Sequence, residues 1–434
     1  MRMTQVYPSE SPWYNEIFES YGATTMTNRM PSFDEPSMNY WKGLKNQWRF
    51  WWWMRKVYAS RWFAHSQVSL WYDKVISSAL ANNPCADLGI DGVLERLNVT
   101  LGTFYSPGSK DLRPWRKTTL HSILEPYIAR NDDFGTVYAH LQRFWYDYDI
   151  TEIEDALSAT EEEDREMRRR VLMHDRIMTW DVPPRHVWDL YANQVVPYSV
   201  VKRFMNGFRW GSKCAPLWGI SHAWVDEKER DTNLDLIRIE MLNVGAQYAW
   251  LNVLCLRQEG GKGEHLRLEE WKLNVPTIGS MYYPNASVGC YFNGLGWPLH
   301  LPPDYFESDR CWFRRAWTLQ EITSFATIVG ETENGIMYMG VRKVFEEWLA
   351  HLREMRREEN TLELALEMQN RVSSTSLDKV AGLSYLLCAE PIPIYDAKKS
   401  DADAWEELMD VISLRSQAEL FFYFPESGNG RKYW

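Results

Sequence analysis

The clearest hydrophobic pattern lies between residues 217 and 330, where short apolar runs alternate with amphipathic stretches. Residues 217–221 predict a first buried strand, and residues 248–256 predict a second. Residues 287–292 and 326–329 predict a third and a fourth strand, and residues 187–201 lead into the first. Strict alternation of strands and helices predicts a parallel sheet with right-handed crossovers.

Helical spacing fills the segments between these strands. After the first strand, apolar residues repeat every three or four positions and stop at a glycine: Leu234, Ile237, Met241, Val244 and Gly245. Residues 265–282 predict a second helix. A third helix is expected to begin at Ser308 and to run to Thr323.

The flanking regions have a different pattern. Residues 1–36 are polar and predict a loose segment, and residues 37–182 predict a mainly helical, aromatic-rich region. Pro183 and Pro184 mark a boundary, so residues 183–330 form the predicted α/β domain. Residues 331–434 predict a mainly helical region with helices at 341–359, 361–369, 378–387 and 404–414, and a strand at 420–423.

Tryptophan is the unusual feature of the composition, with 23 copies in 434 residues. Many lie among basic residues between positions 40 and 71, in a stretch that predicts helix. A membrane-surface helix is one interpretation, and a helix whose tryptophans pack on the rest of the protein is the other. Three consecutive tryptophans at 51–53 go around a helix rather than along one face, which favours packing.

Charge and cysteine content narrow the class of protein. A formal net charge of -11 argues against nucleic acid as the main partner, because neutralising phosphates requires clustered Lys and Arg. Six scattered cysteines without a CxxC pair predict reduced core thiols, no metal site and a cytoplasmic location: Cys85, Cys214, Cys255, Cys290, Cys311 and Cys388. The chain has no secretory signal pattern and no predicted transmembrane segment.

Polar side chains follow the first two predicted strands. Ser221, His222 and Trp224 come after the first strand, and Arg257 and Gln258 end the second. Ligands of parallel α/β sheets bind outside the carboxyl ends of the strands, so these side chains are candidate substrate-binding residues. The alternative is that they satisfy strand-end backbone groups or face solvent. A nucleophilic Ser221–His222 pair is a poor interpretation, because adjacent strand residues point to opposite faces.

The third predicted helix contributes further candidates. Trp317 and Glu321 are four residues apart and would share one helix face. Glu321 is therefore a candidate functional carboxylate, or alternatively a structural partner of Arg314 or Arg315. Together with Arg310, these two arginines form a basic cluster suited to phosphates, and a solvated charged face is the alternative.

Three phrases in this region resemble the fungal HET (heterokaryon incompatibility) domain, in the form found in mushroom-forming fungi. Residues 221–224 (SHAW) are similar to the family's Ser-x-x-Trp phrase, and residues 250–258 (WLNVLCLRQ) are similar to its Trp-Leu-Asp-x-Leu-Cys-x-x-Gln phrase. Residues 315–321 (RAWTLQE) resemble its Arg-x-Trp-Thr-Leu-Gln-Glu signature. The resemblance covers about residues 195–330.

This resemblance implies a TIR-like α/β fold in a protein of fungal nonself recognition and incompatibility-type cell death. In TIR domains that cleave NAD, a Trp lies four residues before the catalytic Glu, as Trp317 lies before Glu321. Glu321 would then be catalytic and NAD would be a substrate, with no further cofactor implied. The expected substrate-binding residues are Ser221, His222, Trp224, Arg257, Gln258, Arg314 and Trp317.

The chain departs from the family pattern at two places. Asn252 stands where the family has Asp, and only residues 225–231 separate the first strand from the next helix, where relatives carry a longer insert. The second functional hypothesis is therefore a non-catalytic HET module that acts by self-association or by binding an unidentified protein partner. A third, weaker hypothesis is a scaffold whose Trp-rich N-terminal helices bind a partner or a membrane surface.

Overall fold

A computed structural model describes ten segments of the chain: residues 74–108, 119–145, 153–205, 217–224, 233–261, 263–282, 286–302, 304–330, 338–358 and 360–424. The predictions for residues 1–36, for the Trp-rich stretch, for Cys214 and for the length of segment 225–231 lie outside these residues. The described segments all fall within one compact unit, Ser60–Trp434.

The described residues contain nine strands in two sheets. They are β1 (Leu172–Met173), β2 (Arg176–Ile177), β3 (His186–Asp189), β4 (Gln194–Pro197), β5 (Leu217–His222), β6 (Tyr248–Trp250), β7 (Ser287–Tyr291), β8 (Phe325–Ile328) and β9 (Ile392–Pro393). The main sheet has the order β4-β3-β6-β5-β7-β8, and β1, β2 and β9 form a small antiparallel sheet.

Four neighbouring strands of the main sheet, β6, β5, β7 and β8, run parallel, which confirms the predicted α/β class. The antiparallel pair β3–β4 extends this sheet on the β6 side. The sequence pattern did not predict this pair and gave its residues only as a lead-in. Asn193, at the turn of the pair, has a positive φ of 50°, a conformation that Asn tolerates better than most residues.

The helices flank both sheets. They are α1 (Ser78–Ala81), α2 (Cys85–Leu101), α3 (Leu120–Ala129), α4 (Phe134–Leu141), α5 (Ile153–Val171), α6 (Tyr198–Met205), α7 (Leu234–Asn243), α8 (Asn252–Cys255), α9 (Arg267–Asn274), α10 (Tyr338–Glu358), α11 (Thr361–Gln369), α12 (Ser376–Leu386), α13 (Asp401–Val411) and α14 (Leu414–Tyr423). None of the described helices is both long enough and apolar enough to cross a bilayer.

Three predicted elements were wrong. The second strand stops at Trp250, because the chain turns into α8, where the Cys255 amide donates to the Leu251 carbonyl at 2.8 Å. The predicted strand at 420–423 belongs to α14, which begins where the Ser413 side chain accepts from the Ser416 amide. The predicted helix from 308 to 323 consists of turns with two 3₁₀ segments, Trp312–Arg314 and Trp317–Leu319.

The two faces of the parallel sheet are covered differently. On one face, Gly219 of β5 lies against the ring of Tyr282, whose hydroxyl donates to the Ile220 carbonyl at 3.0 Å. On the other, Gly289 of β7 lies against Met241 of α7. Since alternate strand residues share a face, Ser221 points to the same side as Gly219, towards Tyr282.

The cysteine prediction holds at four of the five described positions. Cys85, Cys255, Cys290 and Cys311 are buried free thiols, whereas Cys388 is exposed and was wrongly assigned to the core. Cys388 follows α12 with a positive φ of 50°, at a surface turn.

Gly219→Ala is predicted to destabilise the fold. An added Cβ would lie 2.7 Å from the Tyr282 ring, so the ring or the strand would have to shift, at a cost of about 1–3 kcal/mol. Gly340→Ala is the control, because a Cβ near the start of α10 meets nothing within 4 Å and is expected to stabilise by about 0.4–1 kcal/mol. Urea unfolding of both variants measures the two changes, and equal stabilities would contradict the packing assignment.

Candidate functional site

Ser221 and Glu321 meet on the Tyr282 side of the parallel sheet. The Ser221 hydroxyl donates to Glu321 Oε2 at 2.5 Å, although the two residues are 100 positions apart. Ser221 lies one residue before the carboxyl end of β5, and Glu321 lies in the turn before β8. The carboxylate therefore packs on the face of the sheet near the strand end rather than in the gap beyond the strand tips.

A third residue, Trp312, completes this hydrogen-bonded group. Its Nε1–H donates to Ser221 Oγ at 2.7 Å, so the hydroxyl accepts from the indole and donates to the carboxylate. Trp312 is fully buried and stacks edge-on against Phe292. The Tyr305 hydroxyl also accepts from the Trp312 amide and donates to the Phe292 carbonyl. Sequence analysis missed Trp312 and gave the aromatic role to Trp317.

The environment of Glu321 disfavours its charged form. The residue is 7% exposed, and burial raises the pKa of its carboxyl group from 4.5 to about 7. The hydrogen bond from Ser221 and the positive charges of Arg315 and Arg371 act in the opposite direction and keep this pKa from rising further. A carboxyl group that titrates near neutral pH can gain or lose a proton during a reaction.

Arg371 anchors the segment between Trp312 and Glu321 from outside the α/β region. Its Nη1 donates to the Arg315 carbonyl at 2.8 Å and to Thr318 Oγ1 at 3.0 Å, while its Nε donates to Glu367 at 3.0 Å. The neighbouring Val372 pairs with the backbone of the same segment, accepting from the Ala316 amide at 2.9 Å. The segment is thereby fixed to the chain that follows α11.

Two arginines of α10 hold the following residues in a similar way. Arg356 Nη1 donates to the Gln320 carbonyl at 2.6 Å and also to the Ile322 carbonyl. Arg353 Nε donates to the Thr323 carbonyl at 2.8 Å. In an α-helix, each carbonyl accepts from the backbone amide four residues later. Here the donors are arginine side chains of α10. Such partners explain why this segment does not need to form the predicted α-helix.

Arg315 lies near the buried carboxylate and contacts Trp224. The Arg315 guanidinium lies 4.0 Å from the centroid of the Trp224 ring, in a cation–π contact. Arg315 is 9% exposed, whereas Trp224, just after β5, is 48% exposed. Burial lowers the pKa of Arg315 to about 10, so the group stays charged at neutral pH.

His222 and Asn252 lie together at the carboxyl ends of β5 and β6, as the strand-end pattern predicted for His222. His222 Nε2 is 3.0 Å from Asn252 Oδ1, and His222 Nδ1 is 2.9 Å from the Ala223 carbonyl oxygen. Asn252 Oδ1 also accepts from the Val253 amide at 2.8 Å, which orients the side-chain amide. Burial lowers the pKa of His222, and the nearby charge of Arg315 lowers it further.

The remaining predicted site residues make other contacts. Arg257 forms an ion pair with Glu270 at 2.8 Å, and Gln258 Nε2 donates to carbonyl oxygens of its own turn. Arg314 pairs with Asp309 at 3.3 Å. Trp317 is half-buried against the hydrophobic core. In the described parts of the chain, none of the contacts of Gln258 or Arg314 reaches Glu321.

Two clefts among the described residues have linings that do not include Glu321. One lies between α12, β9 and α13, and the other between α9 and the segment 395–398. Within the same described residues, no group of three His, Cys, Asp or Glu side chains is placed to hold a metal ion. The Ser221–Glu321 group is therefore the candidate site because of its buried, titratable carboxyl group, and not because it lines a cleft.

The raised pKa of Glu321 predicts a specific pH dependence of stability. Between pH 4.5 and about 7 the unfolded carboxyl loses its proton while the folded one keeps it, so unfolding becomes more favourable as pH rises. Relative to Glu321→Gln, the free energy of unfolding of the wild type should fall by roughly 3 kcal/mol over this range and level off above it.

Urea unfolding at pH 5, 6, 7 and 8 measures this difference. Glu347→Gln serves as control, because its carboxylate side chain is 67% exposed and should give a difference that does not change with pH in this way. A pH-independent difference for Glu321→Gln would contradict the raised pKa.

No protein-family model matches the chain, and no curated protein and no solved structure matches it either.

Proposed function

We propose that this chain is a HET-domain protein with a TIR-like domain that hydrolyses NAD in incompatibility-type cell death. The observation that carries the proposal is the Ser221–Glu321 hydrogen bond, which joins the first and third HET-like phrases across 100 residues. The pKa of the joined carboxyl group lies near neutrality, at about 7. Perturbed carboxyl groups of this kind occur frequently at catalytic sites.

The reaction would break the bond between nicotinamide and the ribose. Water adds to the ribosyl carbon, the bonding pair leaves with the nicotinamide nitrogen, and the products are nicotinamide, ADP-ribose and one proton. The ribosyl centre becomes oxocarbenium-like, as in other glycosidic cleavage. An ionised Glu321 would stabilise that positive charge and accept the proton of the attacking water. Ser221 would orient the carboxylate, and Trp312 would orient Ser221.

A non-catalytic interaction module is the second candidate function. The observation that favours it is the enclosure of Glu321, which is 7% exposed and hydrogen-bonded within the protein. The same Ser221–Glu321–Trp312 group would then only fix the turn before β8 on the sheet. Asn252 in place of the acidic residue of the HET pattern also fits a module without catalysis.

Nicotinamide release from NAD separates these two functions. The wild type is expected to release nicotinamide, and Glu321→Gln should reduce the rate about 100-fold or more. Glu347→Gln, which changes an exposed carboxylate of α10, is expected to retain the wild-type rate. The assay should span a wide range of protein concentrations, because self-association is part of the hypothesis.

If the wild type releases no nicotinamide at any concentration while analytical ultracentrifugation detects self-association, the interaction module replaces the enzyme. Release that is unchanged in Glu321→Gln would remove Glu321 from the catalytic role.

The pH–rate profile tests the role of Ser221. The rate should rise with pH as Glu321 ionises, with a midpoint near its pKa of about 7. The hydrogen bond from Ser221 lowers this pKa, so Ser221→Ala should move the midpoint to higher pH. A purely structural Ser221 would lower the rate or the stability without moving the midpoint.

A further inference from the structure

Arg315 is exceptional among the arginines near the candidate site. Arg371 and Arg356 both donate to backbone carbonyls, and Arg314 pairs with Asp309. The guanidinium of Arg315, by contrast, has no hydrogen-bond or ion-pair partner among the described residues, although the residue is only 9% exposed. It lies over the Trp224 ring, whose centroid is 4.0 Å away.

An unpaired guanidinium at this depth is unfavourable for the folded protein. Burying a charge is costly unless an opposite charge or hydrogen-bond acceptors compensate, and a cation–π contact compensates only in part. Arg315 would avoid this cost if its side chain turned outward into water. Instead, the guanidinium lies against the Trp224 ring. An arginine held in this position lacks an acceptor that matches its planar fork of donors.

The guanidinium is buried but not completely enclosed. Fully enclosed polar atoms without a partner occur in the described chain, for example in the Gln320 amide, but no atom of Arg315 is among them. Trp224, which supports the guanidinium, is itself 48% exposed. The exposed Trp224 ring therefore marks the side from which a ligand would approach Arg315.

The charges around Arg315 define which ligand group would fit. The carboxyl groups of Glu321 and Asp378 act on Arg315 electrostatically, but neither forms a direct ion pair with it. At the ends of β5 and β6 lie His222, whose charged form Arg315 disfavours, and the neutral amide of Asn252. A planar guanidinium presents two parallel N–H donors, the arrangement that binds phosphate oxygens in a bidentate manner.

We propose that Arg315, supported by Trp224, binds a phosphate group of the ligand and is the principal anion-binding residue of the site. That this phosphate belongs to the diphosphate of a nucleoside rests on the proposed function. Within the basic cluster that the sequence analysis found suited to phosphates, Arg315 takes this role instead of Arg314, which pairs with a carboxylate. The substrate-binding candidates Arg257 and Gln258 are likewise engaged, the first by Glu270 and the second by its own turn.

Titration calorimetry with the full chain tests this proposal. The probes are inorganic phosphate, inorganic pyrophosphate and ADP, at fixed ionic strength. The wild type is expected to bind pyrophosphate and ADP, and Arg315→Gln should weaken both about tenfold or more, since a charge-assisted hydrogen bond is lost. Arg315→Lys should recover only part of the affinity, because an ammonium lacks the planar fork.

Two further variants make the result specific. Trp224→Leu should weaken binding in the same direction as Arg315→Gln, because the guanidinium loses its support. Arg357→Gln is the matched control, because it removes the same charge from an exposed position that pairs with Glu354, and it should bind as the wild type does. Circular dichroism and thermal unfolding verify that each variant is folded.

Each outcome bears on one proposal. Affinity for pyrophosphate or ADP that depends on Arg315 supports the anion site even if NAD is not cleaved, and ADP binding tighter than pyrophosphate binding identifies a nucleotide site. Affinity that Arg315→Gln does not change, or no binding of any probe at millimolar concentration, overturns the anion site. NAD cleavage whose KM is unchanged in Arg315→Gln would leave the proposed function standing and remove Arg315 from it.

Discussion

The candidate site depends on carbonyl groups that are satisfied by arginine side chains instead of by neighbouring amides. Backbone polar groups inside a protein require partners, and a segment that does not form a helix or a strand must find them elsewhere. Arg371, Arg353 and Arg356 provide these partners for the segment that carries Glu321. All three come from the region after Gly330, so the C-terminal helices form part of the site.

This arrangement explains how a carboxyl group can be kept in an unfavourable environment. Without the arginine anchors, the turn could rotate and Glu321 could reach water, where its pKa would be ordinary. With them, Glu321 stays against the sheet, and its compensation is the Ser221 hydroxyl, itself oriented by Trp312. Burial of this carboxyl group lowers the free energy of unfolding, and the tight packing around it has to offset that loss.

The sequence predicted the part of the fold that depends on local pattern. Alternation of apolar runs and helical periodicity predicted the parallel strands, and strand-end polarity singled out Ser221 and His222, which lie at the carboxyl end of β5. The helix expected at 308–323 failed because its local propensity is overridden by acceptor–donor pairs with residues 30 to 60 positions later, which no local pattern reveals. Trp312 was missed for the same reason, since its partner lies 91 residues earlier.

The amide of Asn252 has a consequence for electrostatic selectivity. A carboxylate at this position would place a negative charge beside His222, in the neighbourhood of Arg315, and would partly neutralise the local field. With an amide there, no carboxylate offsets the charge of Arg315 from the side of His222, in a chain whose net charge is -11. The missing negative charge would favour the approach of a small anion to Arg315, and more so at low ionic strength, where screening is weaker.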